Sequence, residues 1–444
     1  MDNDSSRSSL VRPSMLSPLG EGEDGHACGY CKSETSSRSY GAWAYRLRHA
    51  DYMAMMDRGW RRSGAYLYKP NMTHTCCPQY AIRLPLAAFT PSKQHRALIN
   101  KSRRYLDGEW GPGAVDSSTA SKHQPKKKKP AENTRFDLRA AITDLLTVSA
   151  DGKQDHVLTT TLEPASSTPE KFALYDRYQQ AIHGDAPAKN TPKSFGRFLV
   201  DSPLSNGPCD PAICDRSGSV VAGQSPSSPR QRGSSSMPRY GSFHLQYRLD
   251  GKLVGVSVID IAPQCVSSVY FFYDPDVQFL GLGKLSALVE MVLAMDEGVP
   301  HLYLGYFIPE CVKMEYKAQF HGSQLLDPVA YTWVGLDDRL RERLHAADAG
   351  FTTFADLVET GSTATCGRTR AQVPDDGMFR QVSATEADSL LIHVEGSVMP
   401  FGVLADALGE DGAEYAASVR SDVVECAKRL DEQTCQEMVF VPND

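Results

Sequence analysis

No uninterrupted apolar run in this sequence approaches the ~18 residues that a membrane-spanning helix requires, so nothing in it argues for an integral membrane protein. The first 25 residues, MDNDSSRSSLVRPSMLSPLGEGEDG, also lack a basic segment followed by an apolar core, and their acidic content argues against a transit peptide. They read as a disordered leader, and the protein is expected to be cytoplasmic. A disulfide framework is missing too: 11 cysteines, an odd number, are scattered over 444 residues with no export signal, which points to reduced thiols. Nor does either charge sign dominate, with 47 Lys and Arg against 54 Asp and Glu.

The charges are unevenly placed. From Cys28 to Trp110 there are 14 basic against 5 acidic residues, about +9; from Gly350 to Asp444 there are 6 against 17, about −11. The first stretch suits a polyanionic partner and the second repels one. The segments follow composition: a leader (1–25), a basic Cys-rich domain (26–112), a lysine-rich linker (113–134), a core (135–345) with a Ser/Pro/Gly-rich disordered insertion (206–236), and an acidic helical C-terminal region (346–444). Lys126–Lys129 in the linker offer a nuclear import signal or a tether to phosphates.

The single cysteine cluster is Cys28-Gly-Tyr-Cys31 with Cys76-Cys77. A CxxC turn supplies two thiolates, and a second pair completes four ligands for zinc or an iron–sulfur cluster. Because adjacent residues point apart, His26 or His74 could replace one thiol, and burial of the thiols without metal is the plainer alternative. Between the pairs, Tyr52, Met55, Met56 and Trp60 mark an amphipathic helix leading into Arg61-Arg62. Ser92–Leu106 is a second basic helix carrying Lys101, Arg103 and Arg104. Arginines interleaved with aromatics suit nucleic acid, and equally a core face beside a solvated one.

Residues 265–327 organise the rest. Val266–Tyr273 is β-branched and aromatic, as a buried strand should be, and Asp274-Pro275-Asp276 ends it. Leu285, Leu288, Val289, Val292 and Met295 recur at helical spacing until Gly298 and Pro300; Leu302–Tyr306 returns as a strand. The strand, glycine turn, helix and strand form a βαβ crossover whose helix N-terminus faces anions. Gln278-Phe-Leu-Gly281-Leu-Gly283 also fits the pyrophosphate loop of GNAT-fold acetyltransferases, or simply a tight turn. Upstream, Asp250-Gly251 between two strand-like runs signals a hairpin, so the order is β–β–β–α–β. The expected fold class is α+β: a GNAT-like mixed-sheet core, a small metal-binding N-terminal domain and a helical C-terminal extension.

The runs CGYC, SYGAWAYRL, DRGWRRSG, YKPNMTHTCCPQY and PSKQHRALINK, then FLVDSPL, GSFHLQYRLDGKLVGVSVIDI, SSVYFFYDPD and LYLGYFIPECVKMEYKAQF, resemble the arginyl-tRNA:protein arginyltransferase family over most of residues 26–345. The resemblance implies a GNAT-like core that takes arginyl-tRNA in place of acetyl-CoA. It implies arginine transfer to the α-amine of proteins beginning with Asp, Glu or oxidised Cys, creating an N-degron for ubiquitin-dependent degradation. It also implies metal, including an iron–sulfur cluster, at Cys28, Cys31, Cys76 and Cys77. Two positions depart from the family pattern. Leu280-Gly281-Leu282-Gly283 replaces a Leu-Ser-Leu-Gly run, and Val289 stands where an arginine usually follows Ser-Ala-Leu.

Aminolysis of an activated ester needs alignment of an amine with a carbonyl, oxyanion stabilisation and removal of one proton. Asp274 or Asp276 is expected to pair with the donor's guanidinium, and Gly281 and Gly283 to approach phosphate. Lys313 and Lys317, on one face if helical, are expected to read the acceptor's acid or a tRNA phosphate. His244, Tyr303 and Tyr306 are expected to line the cleft, with His244 or solvent as base. Rival classes are an acetyl-CoA-dependent acetyltransferase and a non-catalytic, metal-dependent RNA-binding protein.

Overall fold

The computed structural model describes residues 12–22, 25–112, 136–148, 154–206, 240–347, 351–359 and 378–443. The chain divides into two units, one formed by residues 1–81, 202–240 and 326–444, the other by 82–201 and 241–325. Each is mixed α/β with its own mixed sheet.

In the first unit, β1 (Ser14–Glu21), β2 (Ser39–Arg46), β3 (Arg61–Ser63) and β4 (Tyr66–Pro70) join three strands from the far end of the chain: β13 (Leu391–Val394), β14 (Ser397–Pro400) and β15 (Met438–Phe440). Their order is β14-β13-β15-β1-β2-β4-β3. β1 is parallel to β15 and antiparallel to β2, so it lies inside the sheet, and the helix Ala413–Ala427 packs on it. Two expectations change here. Residues 14–21 are not leader but an interior strand, with Leu16 fully buried. The acidic C-terminal region is not purely helical, because three short strands alternate with its helices. Trp60, nearly enclosed, follows the helix His49–Met56, packs edge-on against Tyr40 and donates its indole N–H to the Arg429 carbonyl.

The second unit contains β5 (Tyr80–Pro85), β6 (Leu158–Pro164), β7 (Gly241–Leu249), β8 (Lys252–Ala262), β9 (Cys265–Tyr273), β10 (His301–Phe307) and β11 (Gln324–Leu326). They neighbour one another in the order β11-β5-β10-β9-β8-β7-β6. The chain passes between units within β5 and again within β11; β12 (Trp333–Gly335) belongs to the first unit. Asp250-Gly251 closes the β7–β8 hairpin with both residues at positive φ, 51° and 81°, as a two-residue turn matched to strand twist requires. After β9 the helix Leu282–Glu297 crosses over and β10 returns parallel to β9. This is the expected β–β–β–α–β order, with the helix two residues longer at each end than the apolar spacing 284–295 indicates.

Side-chain alternation gives the central strands two apolar faces. Val256, Val258 and Phe272 meet Leu174, Tyr175 and Phe195 from the helical segments 169–200. Ser257, one residue out of phase, faces Glu290 of the crossover helix. Helix Pro169–Tyr178 continues into a wider turn, Gln179–His183, closed by Gly184 at φ 73°.

Candidate functional site

The cysteine pairs converge in the first unit. Cys28 and Cys31 sit on a tight turn in which Lys32 takes φ 66°, the Cys28 carbonyl accepts the Lys32 N–H, and the Cys28 sulfur accepts the Tyr30 N–H. Asn71 organises the opposite loop. Its side chain accepts from the Thr73 N–H and hydroxyl while its carbonyl accepts the His74 and Thr75 N–H groups. Cys76 is then tied by its N–H to the Ser36 carbonyl. All four sulfurs lie within 4.8 Å of one another, with Cys31–Cys76 at 3.5 Å and Cys28–Cys77 at 3.9 Å. Four thiolates around one ion at metal–sulfur distances of ~2.3 Å stand ~3.8 Å apart, so the donor set fits a metal. The adjacency of Cys76 and Cys77 is no obstacle, and neither His26 nor His74 joins the group.

Burial and the neighbouring thiols set the acidities. The Cys31 thiol is drawn down to about 7 by the Ser33 backbone and the Cys76 thiol, whereas burial pushes Cys76 and Cys77 up. Four thiols this close resist simultaneous ionisation until a cation joins them.

In the second unit Asp274 stands at the C-terminal end of β9, fully buried and ionised. Burial pushes its carboxyl up, but Lys252, the Asp276 N–H and Arg177 together hold it below the usual carboxylate range. Arg177, on the helix Pro169–Tyr178, spans both acids: its guanidinium is 2.6 Å from Asp274 and 2.7 Å from Asp276. Lys252 completes the set at 2.8 Å. The fork that matches a guanidinium therefore already holds one. Arg177 itself is half-exposed, as is Lys252. These counterions escaped the sequence reading; the one available signal was that Arg177 lies on the polar side of a helix assigned from its apolar residues.

The glycine step is divided in function. Gly281 takes φ 65°, and a Cβ there would stand 3.0 Å from Leu98 Cδ1, whereas one on Gly283 meets nothing. Of the other expected site residues, His244 is enclosed rather than cleft-lining. Its Nδ1 accepts from the buried Lys171 ammonium at 3.0 Å and its Nε2 donates to the Leu199 carbonyl at 2.9 Å, so the ring is neutral and both nitrogens are engaged. Tyr303 and Tyr306 are buried on β10; the Tyr303 hydroxyl accepts from Arg83 at 3.3 Å. Lys317 donates at 2.8 Å to the carbonyls of Leu304 and Tyr306, fastening the 3₁₀ turn Glu315–Gln319 to β10. Lys313 precedes that turn and is exposed, so the two lysines do not share one helix.

The basic N-terminal residues also differ from expectation. Arg61 and Arg62 are buried in β3, bonded to the carbonyls of Met56, Trp60 and Gly64. Lys101 reaches the Phe279 carbonyl and lies over Trp110, Arg103 pairs with Asp144 and Arg104 with Glu109. Lys126–Lys129 fall outside the described residues.

Comparison with known proteins bears on both units. Residues 26–97 match the model described as "Arginine-tRNA-protein transferase, N terminus", and residues 170–327 its C-terminus counterpart. An arginyl-tRNA–protein transferase of Drosophila melanogaster is 32% identical over 419 residues, covering 71% of this chain and 81% of the relative. One from Arabidopsis thaliana is 29% identical, covering 74% and 76%. An aspartate/glutamate leucyltransferase of Pseudomonas paraeruginosa is 24% identical, covering 70% and 94%. The first family match contains all four cysteines and the second contains the Asp274 turn, the crossover helix and both lysines. The chain therefore belongs to the arginyl-tRNA–protein transferase family.

Proposed function

We infer that this protein is an aminoacyltransferase that moves arginine from arginyl-tRNA to the α-amino group of proteins beginning with Asp, Glu or oxidised Cys, marking them for ubiquitin-dependent degradation. The observation that carries the reaction is the family relationship over both halves of the chain. The acidic acceptors are supported by the bacterial relative, whose name specifies aspartate and glutamate. The amine nitrogen attacks the ester carbonyl, the tRNA 3′-terminal oxygen leaves, and the nitrogen gives up one proton. With His244 committed at both nitrogens, water is the acceptor we favour, since an α-amine of pKa ~8 is partly neutral at pH 7.

The β7–β10 segment is a GNAT-like core in this reading, supported by the meander, the crossover and the parallel β9–β10 pair. Asp274 and Asp276 recognise the donor's guanidinium by exchanging it for Arg177, a like-for-like swap that costs little because a guanidinium is replaced by a guanidinium. Exposed Lys313 contacts a tRNA phosphate or the acceptor. Cys28, Cys31, Cys76 and Cys77 would hold zinc or an iron–sulfur cluster; bound there, the metal ties the Cys28 turn to the Asn71 loop. The cytoplasm, and the nucleus through Lys126–Lys129, are the expected compartments.

The decisive experiment supplies radiolabelled arginyl-tRNA with peptides beginning Asp, Glu or Ala. Label should enter the first two and not the third; equal labelling of all three removes acceptor selectivity, and no labelling of any removes the activity.

A further inference from the structure

Glu290 stands in the middle of the crossover helix, 1% exposed, in a run that is buried from Leu285 to Val292. Neither of its oxygens has a hydrogen-bond partner at bonding geometry among the described residues. The elements packed against it offer hydroxyls. β8 turns Ser257 and β9 turns Ser268 toward it, β7 adds Tyr247, and the turn Glu315–Gln319 adds Tyr316. Ser257 is shared with the Tyr247 hydroxyl, at 3.4 Å, and on the crossover helix itself Ser286 gives its hydroxyl to the Gly283 carbonyl. Among the described residues no lysine or arginine offsets the charge of Glu290. The bases on neighbouring elements are engaged elsewhere: Lys317 with two β10 carbonyls, Lys284 with Gln319, and Arg139 of the helix Leu138–Leu145 with Asp296. Burial without an opposite charge raises the Glu290 carboxyl to about 7, where it exchanges a proton near neutrality. A buried acid left unpaired is costly to the fold, which points to a use for it.

Ser268 connects this acid to the surface. β9 and β10 pair only through Cys265–Ser267 and His301–Tyr303. From Ser268 onward the two strands run on without pairing, to Tyr273 and Phe307, so a split opens between them. A bulge lies at the same point. Val258 stands opposite Tyr270 and Ile259 opposite Ser268, which leaves Val269 as an extra residue. Without that residue Ser268 would point to the opposite face; with it, Ser268 shares the face of Ser257 and is aimed at the crossover helix. Ser268 is half-buried, whereas Val266 and Ser267 just before it are enclosed. Tyr316 marks the same opening, because its hydroxyl is influenced by Glu290 on one face of the sheet and by Tyr178, packed on the other. A small hydroxyl thus stands between the split and a buried acid.

We propose that Glu290 is the proton reservoir of the transfer reaction, reached from the split between β9 and β10 through the Ser268 hydroxyl. The proposal rests on the aminoacyl-transfer reading, with water as the first acceptor. As the amine nitrogen bonds to the ester carbonyl carbon, water takes its proton and hands one to Ser268 Oγ, which passes its own to the Glu290 carboxylate. When the carbon–oxygen bond to tRNA breaks, the chain runs backward and protonates the departing 3′-oxygen, so Glu290 ends as it began. Glu290 acts through Ser268 and water and does not touch the substrate. Single-turnover transfer by the full-length protein, from arginyl-tRNA to a peptide beginning with Asp, both saturating, is measured from about pH 6 to about pH 8. Ionisation of the amine affects wild type and variants alike and cancels in their ratio. Glu290→Gln should be slower than wild type by roughly 100-fold at about pH 8, the low end of proton-transfer catalysis. That gap should shrink about tenfold by about pH 6, as Glu290 in wild type takes up its proton. A purely structural role predicts the opposite trend, since loss of the acid favours the fold most at high pH. Ser268→Ala should reproduce the profile, Ser268→Thr should restore it, and the double variant should be no slower than either single one. If Glu290→Gln does not fold, Ser268→Ala carries the test. A gap that does not change with pH, or one below about threefold at about pH 8, overturns the proposal and leaves transfer standing. No transfer by wild type overturns both.

Discussion

Asp274 keeps its charge inside the protein because Arg177, Lys252 and the Asp276 N–H converge on it, and removing that charge has two separable effects. Asp274→Asn and Asp276→Asn should each lower kcat/KM for arginyl-tRNA by about 10- to 100-fold, the worth of one charge-assisted pair, and narrow discrimination against lysyl-tRNA. Transfer kinetics with both donors test this; wild-type discrimination in both variants would falsify the assignment. Arg177→Ala, by contrast, removes the resident competitor and should lower KM for the donor. Glu290 is a different buried acid. Both its oxygens are enclosed with no hydrogen-bond partner at bonding geometry among the described residues, and burial raises its carboxyl to about 7. The folded state thus holds a proton that the unfolded chain has lost. This contribution to stability is fully present below the unfolded value of 4.5 and disappears as pH rises through 7. Glu290→Gln should therefore gain up to about 3 kcal/mol over wild type at pH 8 relative to pH 4, measured by urea melts across that range. His95 slopes the other way: burial lowers it from 6.5 to about 4, so its share is present above 6.5 and is lost as pH falls through 4.

At the scale of elements, the two glycines at the start of the crossover helix, Gly281 at its N-cap and Gly283 in its first turn, are separable. Gly281→Ala places a Cβ at φ 65° and against Leu98, and should cost about 1–2 kcal/mol of stability. Gly283→Ala meets no atom within 4 Å and should be neutral or mildly stabilising; if its transfer activity nevertheless falls, close approach of phosphate to that backbone explains the loss. Much of this unit was legible in the sequence because its signals are local. Asp250-Gly251 dictates its turn, and five apolar residues at helical spacing dictate the crossover helix. The first unit hid its sheet. SMLSPLGE contains proline and glycine and becomes a strand only because β15 and β2 flank it, and LIHV, SVMP and MVF are too short to stand out among helices. The site was legible by residue type and less so by environment. Four cysteines at the right spacing converge, but nothing in a sequence tells that His244 is enclosed by Lys171 and Leu199, or that Arg61 and Arg62 spend their donors on carbonyls.

For the whole molecule, charge and metal give separate tests. Binding of tRNA should weaken as salt rises, with a logarithmic slope of roughly 0.7–0.9 per phosphate neutralised, and Lys313→Ala should reduce that slope by about one contact. Replacing Cys28, Cys31, Cys76 or Cys77 by serine should lower metal content and thermal midpoint together without changing which amino acid is transferred, as mass spectrometry of the product would show. Full metal and full stability with lost transfer would instead assign that cysteine a direct part. The sheet of the first unit has a further implication for how the protein is made. β1 (Ser14–Glu21) pairs with β15 (Met438–Phe440), a parallel neighbour made more than 400 residues later, since 438 − 21 = 417. At ~5–20 residues per second, some 20–80 s separate the two. Throughout that interval the metal-ligand turn can assemble beside a strand with one edge open. A chain in which β15 has not yet been made or has been lost thus keeps an unpaired interior edge on β1, so the fold itself registers whether the distant strand is in place.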